Sequence, residues 1–514
     1  MINNERSTAM AARTSSAGKT GIVIKDVTVV NTRDGSLLPG MDIFVENDRI
    51  SRIGTSGSIQ PAGTAHTVNA SGKYAVPGFL DMHAHAMFSD AVLSGADQQQ
   101  NFQLMIANGI TGFREMAGSK ELLSKKKALE DEIEAGTTVA PEPLIMPGEV
   151  LNIFPGQMLA FFPGSGEAGA SSAEIAQREV LKQKEYGAEF IKIVNVDRDA
   201  FFAVQDAAGK VGLHVAGHLN PVVSATEASN AGLKAMEHLG PLLSILVDCS
   251  TAEEMIRKNL AAPPPAPSDA ASAGPPSPAM IRRIVANPTM LAWSRPGLGL
   301  GLQFAIKTYS EEKSRALAKV FVKNGTWQVP TLIRVRTMQI SDDPAYSNDP
   351  NLRYVPSETR AMWMELTEAY IQRAPEATKA AYKDLYDQQL KLVKLLKEEG
   401  VKMLAGSDMT GIYCIPGFSL HQEFRELSKA GLSPLEILQM TTLDGAEFLN
   451  RASTMGTVDE GKNADLVLLD ANPIENGENL EKIHAVVLKG RYFPKAELER
   501  MKDDVENFYG KGRD

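Results

Sequence analysis

The sequence predicts an α/β fold: a TIM, or (β/α)8, barrel beside a small β-sandwich domain formed by both chain ends. Three observations carry this expectation. Apolar strand-like runs alternate with amphipathic helical segments across residues 78–450. Short β-type runs broken by turns fill 21–77 and return over 451–500. Metal-binding residue types sit where the strand runs of the middle segment end, the side on which such barrels place their chemistry.

Residues 1–20 lack the continuous apolar stretch of a signal peptide and read as a disordered leader. GIVIKDVTVVN is a strand, and MDIFVENDRISRIG alternates around an Asn-Asp turn as a hairpin should. Eight strands then follow: AVPGFLDMH, ITGFREM, PLIMPG, FIKIVNV, LHVAGH, LKAMEH, WQVPTLI and KMLAGSD. SSAEIAQREVLKQKEYG and DLYDQQLKLVKLLKEEG are helices between them, and KSRALAKVFVKNG reads as a solvated helical face. The Pro/Ala/Ser-rich insert 261–279 forms no regular core, SRPGLGLGL at 294–302 reads as a hinge, and 340–358 as a loop. ADLVLLDANP and IHAVVLKGRYF are strands of the small domain, and 501–514 is a C-terminal tail.

With 514 residues, 43% hydrophobic and 23% charged, the chain can bury a large core without staples. The net charge of −10 argues against a nucleic-acid partner. No run approaches the roughly 18 apolar residues of a membrane span, so no membrane partner is expected and the cytoplasm is the default compartment, with export through a removed signal not excluded. Two cysteines, Cys249 and Cys414, rule out a disulfide framework and a cysteine zinc site.

The chemistry begins with His83 and His85. Two residues apart on a strand they share a face, with Cα atoms about 6.6 Å apart, so their imidazoles can reach one cation. Lys192 lies in strand 4, His218 and His238 end strands 5 and 6, and Asp408 ends strand 8. A free lysine is a poor ligand at neutral pH, but its carbamate would present a bridging carboxylate. Four histidines and an aspartate exceed what one tetrahedral ion needs, which points to two divalent ions, zinc first among them, sharing a hydroxide. One ion would polarise a carbonyl, the bridging hydroxide would attack it, and Asp408 would carry the proton to the leaving nitrogen.

VPGFLDMHAH, ITGFREM, EFIKIV, VAGHLNPVVSATEASNAGLKAMEHLG, LAGSD and GTVDEGKNADLVLLD together resemble the amidohydrolase superfamily, in its imidazolonepropionase- and prolidase-like branch, over about 21–490. The resemblance implies the barrel with its small β domain, and a metal centre at His83, His85, Lys192, His218, His238 and Asp408 in which the lysine is carboxylated. It also implies a homo-oligomer, tetramer or octamer. The expected function is metal-dependent hydrolysis of a C–N bond in a small molecule such as a dipeptide, N-acyl amino acid or aryl amide. Carbamates, aryl ureas, lactones or phosphotriesters are the alternative substrates, and a mononuclear deaminase or a non-catalytic scaffold the more distant ones.

Around the ligands, Arg114 would either bind a substrate carboxylate or hold a salt bridge in the barrel, and Tyr413 and His421 are substrate-side candidates, His421 with loop packing as its stronger reading. Lys192 has Glu237 as an alternative partner, and His214 is a core counterpart to His218. Glu149, Asn152, Phe154, Phe161 and Phe162 should face the mouth, whereas His66 and His484 belong to the β domain.

Overall fold

The computed structural model describes residues 21–60, 65–87, 96–152, 172–219, 222–241, 243–261, 277–295 and 297–510. The expected leader, all but the ends of the 261–279 insert, and Phe154, Phe161 and Phe162 lie outside the described residues.

Both chain ends contribute to one eight-stranded sheet. Its strands are β1 (Ile22–Val30), β2 (Leu37–Glu46), β3 (Arg49–Thr55), β4 (His66–Asn69), β5 (Tyr74–Pro77), β14 (Leu466–Leu469), β15 (Ile483–Leu488) and β16 (Arg491–Pro494). The order is β16-β15-β14-β5-β1-β2-β3, with β4 branching off beside the first half of β1. β1, with its Val, Ile and Thr side chains, suits a pleated surface buried on both faces. β2 and β3 turn at Asn47, whose φ of 58° asparagine tolerates. The IHAVVLKGRYF run is two antiparallel strands, because Lys489 and Gly490 both take positive φ in a tight hairpin turn.

Period-two alternation assigns the faces. Leu466 and Leu468 join Ile24, Val29, Ile43 and Val487 in a cluster enclosed by the sheet itself. Val467 and Leu469 point the opposite way into the main core. The sheet is therefore fixed to the middle of the chain through its second face.

Two parallel sheets make up that middle. β6 (Phe79–Ala84), β7 (Ile110–Glu115) and β8 (Leu144–Ile145) form one. β9 (Leu151–Asn152), β10 (Ile191–Asn195), β11 (Val215–Gly217), β12 (Ala235–Glu237) and β13 (Trp327–Val329) form the other, in sequence order. Backbone hydrogen bonds link the two sheets at both edges. Residues 402–408 run between β13 and β6, with Gln328 N to Lys402 O at 3.0 Å, Met82 N to Ala405 O at 2.9 Å and Asp408 N to His83 O at 2.7 Å. On the other side Glu189 N donates to Met146 O at 3.1 Å.

Helices cover these strands, among them Ala173–Glu185, capped by Ser172, and Glu376–Glu398. The SRPGLGLGL stretch departs from its expected hinge: Leu298–Lys307 is a helix. Gly299 explains it, since a Cβ there would lie 3.0 Å from Ala377 O, so glycine permits close approach to the start of Glu376–Glu398. The 340–358 loop contains two short helical turns, Pro344–Ser347 and Pro350–Tyr354. Cys249 and Cys414 are free and buried. Among the described residues no helix is long and apolar enough to cross a membrane.

Candidate metal centre

β6 is buried along its whole length and delivers His83 and His85 to the C-terminal end of the parallel strands. The segment carrying Asp408 passes close beside it. Gly406 makes this possible, because a Cβ there would sit 2.7 Å from His83 Cβ. Asp81 ties the two segments together: its carboxylate accepts from His83 N at 3.2 Å, Ser407 N at 3.0 Å and Ser407 Oγ at 2.5 Å.

Three imidazoles share one orientation. His83 places Nδ1 2.7 Å from Glu237 Oε2 and Nε2 3.4 Å from Asp408 Oδ1. His85 places Nδ1 3.3 Å from Glu115 Oε1 and Nε2 3.1 Å from the same Asp408 oxygen. His238 meets Thr331 Oγ1 through Nδ1 at 2.5 Å and faces Asp408 Oδ2 through Nε2 at 3.7 Å. In His83 and His238 the nitrogen remote from Asp408 is hydrogen-bonded to an oxygen, which fixes ring orientation as outer partners of metal-ligating histidines do, and in His85 it lies at ion-pair distance from Glu115. His83, His85 and Asp408 offer ligand atoms within 4.8 Å of one another. His218 joins from β11, its ring centroid 4.9 Å from that of His238.

Lys192, on β10, is buried, and its Nζ has no hydrogen-bond partner among the described residues. A buried ammonium without a partner is costly, and burial lowers its pKa to about 8. That raises the share of neutral amine, the form that adds carbon dioxide. Burial also lowers His83 to about 4 and holds His218 and His238 well below the usual histidine range. Those three neutral imidazoles keep the lone pair a cation needs, whereas at His85 burial is outweighed by Asp408 and Glu115, which push it up to about 9. Burial opposes ionisation of Asp408, but His83, His85, His238 and Arg334 outweigh it and hold its carboxyl well below the carboxylate range.

The backbone is strained at the same place. His238, Thr331 and Asp408 all have positive φ, of 57°, 44° and 47°. For non-glycine residues, and a β-branched threonine above all, this is costly and characteristic of functional sites.

Three candidate substrate-side residues make contacts inside the protein. Arg114 is fully buried, donates from Nη2 to Glu237 Oε1 at 2.7 Å and from Nε to Met82 O at 2.7 Å, and so takes the salt-bridge role. Tyr413 is buried against Tyr346 and Trp363, its hydroxyl 2.8 Å from Thr367 Oγ1. His421 lies between Phe79 and Phe424, with Nε2 2.9 Å from Asn108 O. Each spends its polar group inside the protein. His214 stacks on Phe190, away from the cluster, and Glu149 and Asn152 are buried near the end of β9. His66 is exposed, and His484 pairs with Asp470 at 3.0 Å.

Glu115, Thr331, Arg334 and Asp81 are absent from the sequence-derived set, and Glu237 enters it only as a partner for Lys192. Glu115 and Glu237 could have been found, since each is a carboxylate ending a strand run, in FREM and AMEH. Arg334 sits within a helix after β13, outside any motif, and carries no such signal.

Comparison with known proteins adds three findings. A model described as "Amidohydrolase family" matches residues 361–492. Among curated relatives, an adenine deaminase from Rubrobacter xylanophilus is 38% identical over 64 residues, 12% of this chain and 11% of that protein. The chain thus matches only a small part of the length of such relatives. Among solved structures, a bottromycin amidohydrolase superposes with a TM-score of 0.69 at 18% identity, covering 99% of this chain and 94% of that one. A Xaa-Pro dipeptidase with methionine in its active site gives 0.60 at 17% identity, over 92% of this chain and 100% of that one. The family match is thus confined to 361–492, and the solved structures show a fold shared across nearly the whole chain.

Proposed function

We propose that the parallel strands form a closed (β/α)8 barrel, over 78–450, beside a β-sandwich of 21–77 and 451–500. The barrel would act as a metal-dependent hydrolase of C–N bonds in small molecules: dipeptides, N-acyl amino acids or aryl amides. One observation carries the reading: three imidazoles turn Nε2 toward Asp408, two of them with the other nitrogen hydrogen-bonded to an oxygen, beside a buried lysine whose amine is unpaired.

His83, His85, His218, His238, Asp408 and a carboxylated Lys192 would hold two divalent ions, zinc first. When bound, these would supply Lewis-acid polarisation of a carbonyl and a water acidic enough to react at neutral pH. Glu237 and Glu115 keep the His83 and His85 rings turned toward Asp408. Asp408 would accept a proton from water and return it to a leaving nitrogen. Arg114 neutralises Glu237, so that His83 faces a carboxylate whose charge is already shared.

Metal analysis of the purified protein, with hydrolysis assays on N-acyl amino acids, dipeptides and aryl amides, tests this reading. We expect bound metal, loss of turnover with a chelator, recovery on adding zinc, and a carbamate signal in 13C NMR after incubation with labelled bicarbonate. Asp408→Asn should lower kcat by about 10²–10⁴-fold with the fold intact by circular dichroism. A folded protein that binds no metal and hydrolyses nothing overturns it. Activity confined to carbamate, urea, lactone or phosphotriester substrates would move the bond and keep the site. The likeness to an adenine deaminase supports a second reading, deamination at one metal, which an unmodified Lys192 and ammonia release from a purine would favour. A homo-oligomer, tetramer or octamer, is the proposed working unit, checked by light scattering.

A further inference from the structure

Asp408 is gripped from a side that contributes nothing to the ligand set. Arg334, in the first turn of helix Leu332–Gln339, is buried and donates from Nε to Asp408 Oδ2 at 3.2 Å. Its Nη1 donates to Ala286 O at 2.6 Å and its Nη2 to Val285 O at 2.8 Å. Those two carbonyls end helix Pro278–Ala286, where unsatisfied acceptors and the negative end of the helix dipole suit a cation.

The loop after Asp408 is fastened to the same point. Ala286 O also accepts from Ile412 N at 2.9 Å. Gly411 lies flat against the guanidinium: a Cβ there would fall 2.4–2.6 Å from Arg334 Nη1, Cζ and Nε. A planar fork held by two carbonyls, one carboxylate and a backbone face has no freedom to rotate.

We propose that Arg334 is a positioning residue for Asp408, and that helix Pro278–Ala286 sets the reach of that carboxylate through it. The inference rests on the hydrolase reading above. Arg334 holds Oδ2, which His238 also faces, and this leaves Oδ1 turned toward His83 and His85. Without the fork, the carboxylate turns about its own bond, and proton transfer loses alignment while substrate affinity does not change.

The test compares wild type with Arg334→Gln, Arg334→Lys and Gly411→Ala. It reads kcat and KM separately, hydrogen exchange of segments 279–287 and 408–413, and thermal melting. We expect Arg334→Gln to lower kcat by roughly 10–100-fold with KM unchanged, the range for outer partners of a metal site. Arg334→Lys should recover part of the loss. Gly411→Ala, which displaces the guanidinium while leaving every polar group in place, should act in the same direction. Exchange should quicken in both segments together. Should Arg334→Gln fail to fold, Gly411→Ala and Arg334→Lys carry the comparison. Wild-type kcat in these variants, or a raised KM with kcat unchanged, overturns the inference alone. A wild type that binds no metal and hydrolyses no substrate overturns the hydrolase reading and the inference with it.

Discussion

The strand ends around His83 and the branched sheet built from the two chain ends are buried to a similar degree by opposite means. In the sheet, Leu466, Leu468, Ile43 and Val487 pack apolar surface against apolar surface, while Val467 and Leu469 turn to the main core. Around His83, a comparable depth of burial holds Arg114, Glu237, Asp81, Lys192 and Asp408, with positive φ at three neighbouring residues. The sheet gains stability from each contact. At the site, each group is tolerated only because another satisfies it, and Lys192 shows what an unsatisfied member costs, with its amine driven toward neutrality. The difference teaches that the stability of the site is collective, whereas that of the sheet is a sum of nearly independent side chains.

The sharpest way to break this contrast is Glu237→Ala. It strips a fully buried carboxylate from both Arg114 and His83, and removal of one partner from a buried pair costs about 3–5 kcal/mol. Urea denaturation of Glu237→Ala, Arg114→Met and the double variant measures the coupling. A double variant more stable than Glu237→Ala alone is expected, since it no longer strands a charge. Leu468→Ala in the sheet should cost about 2–5 kcal/mol with no such coupling to a distant residue, read in the same denaturation series.

A pH test separates the two kinds of burial further. Glu423 is buried, accepts from Ile333 N at 2.8 Å and has its pKa pushed up by burial to about 8. The folded chain therefore keeps a proton that the unfolded chain releases near pH 4.3. Its contribution is fully present below about pH 4.3 and fades as pH rises through about 8, with a slope approaching ~1.4 kcal/mol per pH unit between them. Glu423→Gln should flatten that part of the stability profile measured by denaturation from pH 4 to 9, and an unchanged slope would refute the assignment. The smallest effect belongs to Arg33 and Asp459, an ion pair at 2.6 Å whose side chains are 53% and 38% exposed. Arg33→Ala should cost only about 0.2–1 kcal/mol and less in high salt, as differential scanning calorimetry at two ionic strengths would show.

Some of this molecule was legible residue by residue. His83 and His85 announce a shared face by their spacing alone, and the turn at Asn47 announces a hairpin. The fate of Arg114 was not legible: GFREM permits both a substrate contact and a salt bridge, and only the arrival of Glu237 from another strand, 123 residues away, selects one. Tyr413 follows the same logic, since a polar side chain in a loop sequence looks available until its partner, Thr367, is in place. SRPGLGLGL misled because glycine usually signals flexibility, whereas here it lets one helix approach another.

What the sequence determined by itself is whatever depends on neighbours along the chain: strand and helix periods, the two β segments at the ends, and the residue types able to bind a cation. Only the tertiary structure decided which nitrogen of each histidine faces Asp408, which arginine grips that carboxylate, and which polar groups are spent inside the protein. The reason is physical. Periodicity is set by local backbone geometry, but the orientation of an imidazole or a guanidinium is set by a hydrogen-bond partner whose position in the sequence nothing local specifies.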